Sequence, residues 1–156
     1  MKRRLLCACF AVFLFLAGCR ADISAYENQA IQISGLTEED FTVTPRELAE
    51  MKCVSATATG NSAKAGTVNA YGPTLATFVG LYGKSMDELE SVRFLAGDDY
   101  DVLLGPVTWK DHDVIFSISN GGDPLEASQQ PLRIVIPGVN SGKWVRMVTR
   151  IEFTCQ

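Results

Sequence analysis

Five cysteines, one histidine and 18 carboxylates are the side chains with which this 156-residue chain could hold a metal or carry redox chemistry. Their spacing does not gather them. Cys7, Cys9 and Cys19 fall at the start, Cys53 stands alone in the stretch MKCVSATATGNSAKAG, and Cys155 is the penultimate residue. His112 lies in Lys110-Asp111-His112-Asp113, a charged loop in which a solvated imidazole is expected. A zinc centre would have to draw most of its ligands from carboxylates, against that ion's usual preference for nitrogen and sulfur. Three roles stay open for Cys53: a thiolate ligand to a soft metal, one half of a disulfide with Cys155, or a small apolar residue in the core.

The early cysteines belong to a different chemistry. Lys2, Arg3 and Arg4 precede a nearly unbroken apolar run from Leu5 to Gly18. That run is shorter than the ~20 residues of a spanning helix, and its basic start and small-residue end predict a secretory signal peptide over residues 1–18. Leu16-Ala17-Gly18-Cys19 resembles the lipobox of bacterial lipoproteins, in which the cysteine is diacylated on sulfur and becomes the first mature residue. The expectation is a bacterial cell-envelope protein, lipid-anchored through Cys19 on the extracytoplasmic side of a membrane. Losing residues 1–18 removes three of the 14 basic residues and no acidic ones. That leaves 11 against 18, so the formal net charge moves from −4 to −7. An acidic chain has the wrong sign for nucleic acid. The remaining 138 residues (156 less 18) suffice for one domain. With Cys7 and Cys9 removed and Cys19 lipidated, Cys53 and Cys155 are left in a compartment that permits disulfides.

The elements that would position these groups are short. Residues 19–29 lack a steady period and are expected to form a lipidated tether, with the domain running from 30 to 156. Ile31 and Ile33 alternate with polar neighbours as a strand does, ending at Gly35, and Phe41–Val43 is a second strand. Thr44-Pro45-Arg46-Glu47 has a cap, a first-turn proline and a capping-box glutamate, so a brief helix should run to about Met51. Cys53–Thr59 and Ala65–Tyr71 predict a hairpin turning at Gly60-Asn61-Ser62. Leu75, Phe78, Val79 and Tyr82 share one helical face, with Gly83 in the stop position. Ser85-Met86-Asp87-Glu88 repeats the capping pattern. Strands are predicted over Val92–Leu95, Tyr100–Leu104, Val114–Ile118, Arg133–Ile136 and Val148–Thr154. The sum is one α+β, β-rich domain with two or three short helices.

Pro131-Leu132-Arg133, Pro137-Gly138, Lys143-Trp144 and Thr149-Arg150-Ile151 follow one another in the last third. This block resembles the closing signature of the sulfite-oxidase-type molybdopterin-binding domain family. Upstream, Gly72-Pro73-Thr74-Leu75 through Gly83, Gly97 to Tyr100, Asn120-Gly121 with Pro124-Leu125, and Ile31 to Gly35 are similar to further family features in the same order. The resemblance implies that family's mixed β-rich fold and, in active members, oxygen-atom transfer at a molybdenum held by the pterin dithiolene and one cysteine thiolate. That thiolate is expected near Gly60 or Asn61, where this chain has no cysteine. Cys53 comes some seven residues early, roughly 20 Å away at about 3.3 Å per strand residue. Metal ligation is therefore the weakest of its three roles. The resemblance assigns Arg133 and Lys143 to the pterin and its phosphate. Gln129-Gln130 replaces the glycine-containing pair that precedes Pro-Leu-Arg in active members, and Trp144 is expected to pack. Arg3-Arg4 fits the signal that exports folded, cofactor-loaded members poorly, which implies arrival without cofactor. These features point to a non-catalytic binding or accessory module, with an envelope protein or small ligand as partner and no resident cofactor. The alternative is a molybdopterin-dependent oxidoreductase with an atypical ligand set.

Overall fold

The computed structural model describes residues 21–62 and 65–156. The expected signal peptide over 1–18 and the expected lipidation site Cys19 lie outside the described residues. In chain order the elements are β1 (Ile31–Ser34), β2 (Phe41–Val43), α1 (Pro45–Glu50), β3 (Cys53–Thr59), β4 (Thr67–Pro73), α2 (Leu75–Leu81), β5 (Leu89–Ala96), β6 (Asp101–Leu104) and α3 (Pro106–Trp109). There follow β7 (Ile115–Ser117), β8 (Ser119–Asn120), β9 (Asp123–Pro124), β10 (Arg133–Val135) and β11 (Val148–Cys155). Single 3₁₀ turns sit at Met86–Glu88, Ala127–Gln129 and Ser141–Lys143. The expected α+β, β-rich class with short helices is what the chain adopts. The helix α3 carries no periodic signal, since four residues are too few to show one.

Local chemistry sets the helix ends. Thr44 Oγ1 accepts from the Glu47 amide at 3.3 Å and the Glu47 carboxylate accepts from the Thr44 amide at 2.7 Å, so both arms of the capping box close. Thr74 caps α2 by accepting from the Thr77 amide at 3.1 Å. Past its other end Gly83 takes φ +72°, and the Lys84 amide returns to the Val79 carbonyl at 3.1 Å. That left-handed exit is one glycine adopts without steric cost.

Three sheets build the domain. The largest has the order β2-β1-β11-β5-β6, with β1 parallel to β11 and its other pairs antiparallel. The second has the order β3-β4-β8-β9, and β10 pairs with β7 in the third. Two glycines of the strand ends are required by close backbone approach. A Cβ on Gly35 would stand 2.1 Å from the Phe153 carbonyl oxygen, and one on Gly72 would stand 1.9 Å from that of Phe116.

The core lies between the sheets and α2. Phe78 is fully buried, with ring centroids 5.2 Å from Phe116, 5.3 Å from Tyr82 and 6.1 Å from Phe153. Packing also reaches into the expected tether. Tyr26 is 1% exposed, donates its hydroxyl to the Ile118 carbonyl at 2.7 Å and accepts from the Leu125 amide at 2.9 Å. The packed domain therefore starts ahead of residue 30. An isolated tyrosine in a stretch without periodicity gives no sign that its partners lie about 90 residues away. Among the described residues no helix is long and apolar enough to cross a membrane.

Two variants measure these contacts by urea unfolding. Phe78→Ala should cost about 3–5 kcal/mol through cavity formation. Tyr26→Phe should cost about 1–3 kcal/mol by stranding a buried carbonyl and amide, with an unchanged denaturant slope.

Candidate functional site

The pairing of β5 with β11 builds a cavity. Val148 stands opposite Ala96, so the turn leaving β5 meets the segment entering β11, and the Gly97 amide donates to the Met147 carbonyl at 2.9 Å. Between them opens a cavity of about 270 Å³ lined by Asp98, Tyr100, Ser141, Trp144 and Arg146. Among the described residues two non-glycine residues take positive φ, Asp99 at +66° and Met147 at +55°. Each is a chain neighbour of cavity-lining residues. Sparsely populated backbone of this kind persists where surrounding structure imposes it, and it concentrates at ligand sites.

The loop over residues 140–143 is held from three directions. The Asn140 side chain accepts from the Gly142 amide at 2.8 Å. The Tyr100 hydroxyl donates to the Gly142 carbonyl. Asn61 Oδ1, at the tip of the β3–β4 hairpin, accepts from the Ser141 amide at 3.0 Å and from the Ser141 hydroxyl at 2.5 Å. The predicted hairpin tip thus docks directly on the cavity rim.

Arg133 is the unusual charge behind the site: it is not among the cavity-lining residues and reaches them through Trp144. It extends from β10, is 6% exposed, and places its guanidinium carbon 5.8 Å from the Trp144 ring centroid. That distance suits a cation–π contact. Its Nη1 donates to Gln129 Oε1 at 3.2 Å, while Nε is buried with no hydrogen-bond partner. Burial, and then the charge of Arg146, hold the guanidinium below the usual arginine range, with Glu126 acting in the opposite sense. A buried cation with an unsatisfied donor and a like-charged neighbour is an arrangement that an anion would relieve.

The other expected site residues fall elsewhere. Trp144 is 5% exposed and donates its indole N–H to the Ile136 carbonyl at 3.0 Å, so it packs and also lines the cavity. Lys143 is exposed and is not among the cavity-lining residues. His112 is half-buried against Gly138, where an added Cβ would stand 3.1 Å from the ring. Cys53 begins β3, an edge strand of the four-stranded sheet, with Sγ 3.6 Å from the Leu48 carbonyl. Cys155 ends β11 with Sγ 3.5 Å from the Gly35 carbonyl, and no disulfide joins the two. The strands that carry them belong to different sheets. Ser141 and Arg146 are additions that no motif singled out, while Asp98 and Tyr100 belong to the Gly97–Tyr100 turn and Asn61 to the predicted hairpin turn, none of them read there as lining a cavity.

The donor set can be tested against the cofactor that the resemblance implies. Arg133, with its orphaned Nε, fits an anionic end. The metal end does not fit. The hairpin tip offers no thiol, and a Cβ on Gly60 would stand 2.3 Å from Ala65 Cβ and 3.2 Å from Ser141 Cβ, so a cysteine there has no room in this packing. Among the described residues no three of His, Cys, Asp or Glu gather to hold a metal ion.

Arg133→Met keeps the stem and removes the buried charge. Without added anions its stability should equal or exceed the parent by about 1 kcal/mol, because desolvation of an incompletely paired cation is relieved. Thermal unfolding in the presence and absence of phosphate checks this: phosphate should raise the midpoint of the parent and leave that of Arg133→Met unchanged.

Comparison with known proteins agrees with this architecture. Among solved structures, the chain is similar to the sulfane dehydrogenase SoxCD from Paracoccus pantotrophus, with a TM-score of 0.66 and 18% identity. The match covers 83% of this chain and 39% of that one, so this chain spans well under half the length of that neighbour, and the likeness is one of fold. No curated protein matches. The model of the oxidoreductase molybdopterin binding domain matches residues 20–156. A match over nearly the whole chain shows that this protein belongs to the oxidoreductase molybdopterin binding domain family.

Proposed function

We propose that this chain is a lipid-anchored protein of the bacterial envelope, facing away from the cytoplasm, whose molybdopterin-binding fold serves as a non-catalytic binding module for a small anion. The observation that carries the reading is the buried Arg133 guanidinium, with its unpartnered Nε and the like charge of Arg146 acting on it, packed on the Trp144 that lines a cavity of about 270 Å³ with Arg146. Asp98, also in that lining, sets the opposing charge that a bound anion must outweigh. That volume lies just below the ~300–1,000 Å³ of ordinary ligand pockets, which favours a compact anion over a bulky cofactor. Trp144 gives the site one aromatic wall and Arg146 its exposed charge. Tyr100 and Ser141 supply hydroxyls that are already engaged in holding the rim, so they fix its shape. The anchor rests on Leu16-Ala17-Gly18-Cys19.

The alternative, a molybdopterin-dependent oxidoreductase with an atypical ligand set, is favoured by the family and by the same arginine. The two readings separate at the metal. In the first, a buried cation left by an ancestral cofactor site still binds anions, while the missing thiolate removes the soft ligand that tunes molybdenum.

Full-length protein purified from its native envelope should contain molybdenum and pterin far below one equivalent. Arg146→Gln should weaken stabilisation by phosphate while leaving the anion-free unfolding midpoint nearly unchanged, since Arg146 is exposed. Stoichiometric molybdenum with pterin would establish the alternative and make Cys53→Ser the next variant to test.

A further inference from the structure

The residues that follow the lipidation site are packed onto the domain. Ala21, Asp22, Ile23 and Ser24 line a cleft of about 270 Å³ together with Glu27, Arg46, Ala49, Glu50, Tyr71 and Ile118. The turn behind them is closed by the Tyr26 amide on the Ile23 carbonyl and the Gln29 amide on the Tyr26 carbonyl, both at 3.0 Å. Arg46 pairs with Glu27, and the Tyr26 hydroxyl ties the turn to Ile118 and Leu125. An acyl chain on Cys19 would stand two residues ahead of Ala21. Two extended residues reach at most ~7 Å.

The anion cavity sits at the other end of the β3–β4 hairpin. Tyr71, which lines the cleft, is opposite Ser55 near the start of β3. Gly60 and Asn61, just past its end, touch Ser141 on the rim of the cavity. The seven residues of β3 span about 20 Å at ~3.3 Å per residue.

We infer that the domain rests directly on the lipid surface through the face around Ala21–Ser24 and Glu50, with the Trp144–Arg146 cavity turned toward the aqueous phase. This rests on the lipid anchor at Cys19. It assigns the cleft to the lipid headgroups, and it means that the anion or its carrier arrives from water and not along the bilayer. A tether of ten residues would leave orientation random. A link of two residues, backed by the buried Tyr26, sets it.

The test uses lipidated full-length protein in vesicles of zwitterionic phospholipid, chosen because Asp22, Glu27 and Glu50 give the cleft carboxylates that anionic lipid would repel. In a Cys53→Ser, Cys155→Ser background, an environment-sensitive fluorophore is placed by Ser24→Cys, Glu50→Cys, Ser62→Cys or Lys143→Cys, one at a time. Nitroxide-headgroup lipids should strongly quench labels at 24 and 50 and leave those at 62 and 143 unchanged. Two sites on each side guard against a single variant that fails to fold. Equal quenching at all four positions, or the reverse order, on protein that floats with vesicles overturns the orientation and leaves the anchor intact. Protein that does not float with vesicles overturns the anchor and the orientation together.

Discussion

The last strand holds the domain together. β11 lies between β1 and β5 in the largest sheet, parallel to the first strand of the chain and antiparallel to the fifth, so both ends of the folded unit meet at its centre. Ile33 faces Ile151 across one ladder and Phe94 faces Ile151 across the other. Those three side chains are each at most 1% exposed. The same pairing sets Val148 against Ala96, and that one register brings the Gly97–Tyr100 turn to the Trp144–Met147 segment. The cavity is a by-product of closing the sheet. Contacts this distant in sequence form late and cost loop-closure entropy, which the buried apolar core between the sheets offsets.

Within that frame Arg133 is a deliberate imperfection. A methionine of similar length would pack beside Trp144 without desolvating a charge. The chain instead buries a guanidinium, leaves its Nε without a partner and places Arg146 nearby. Local conflicts of this kind are expected at functional sites, where stability is given up for binding. The hairpin tip is the opposite case. Asn61 and Ser141 satisfy one another, and the space at Gly60 is filled by Ala65 and Ser141. One side of the cavity carries an incompletely paired cation behind it, and the other is closed by a structural contact.

Local chemistry was legible in the residues. The capping box at Thr44, the Glu88 arm back to the Ser85 amide, the exit of α2 at Gly83 and the β3–β4 hairpin all depend on partners within a few residues, and each forms as its composition predicts, while the Thr74 cap of α2 is an addition. The family was legible too, because Pro131-Leu132-Arg133 and Lys143-Trp144 are contiguous segments. Lys143 shows the limit of motif reading: its neighbour Trp144 lines the cavity, while Lys143 itself is exposed beside it.

Tertiary structure alone decided the site. Asn61 meets Ser141 across 80 residues, Tyr100 meets Gly142 across 42, and Tyr26 reaches Ile118 and Leu125 across more than 90. None of these pairs leaves a periodic trace, because a hydrogen bond between distant loops constrains two residues and not the pattern around them. The same holds for the partnerless Nε of Arg133, which became visible only when β10 carried it under Trp144. The sequence by itself determined the class of fold, the family and the types of residue available for chemistry. The β5–β11 register decided which of those residues meet, since side chains separated along the chain acquire a common environment only when the sheet closes.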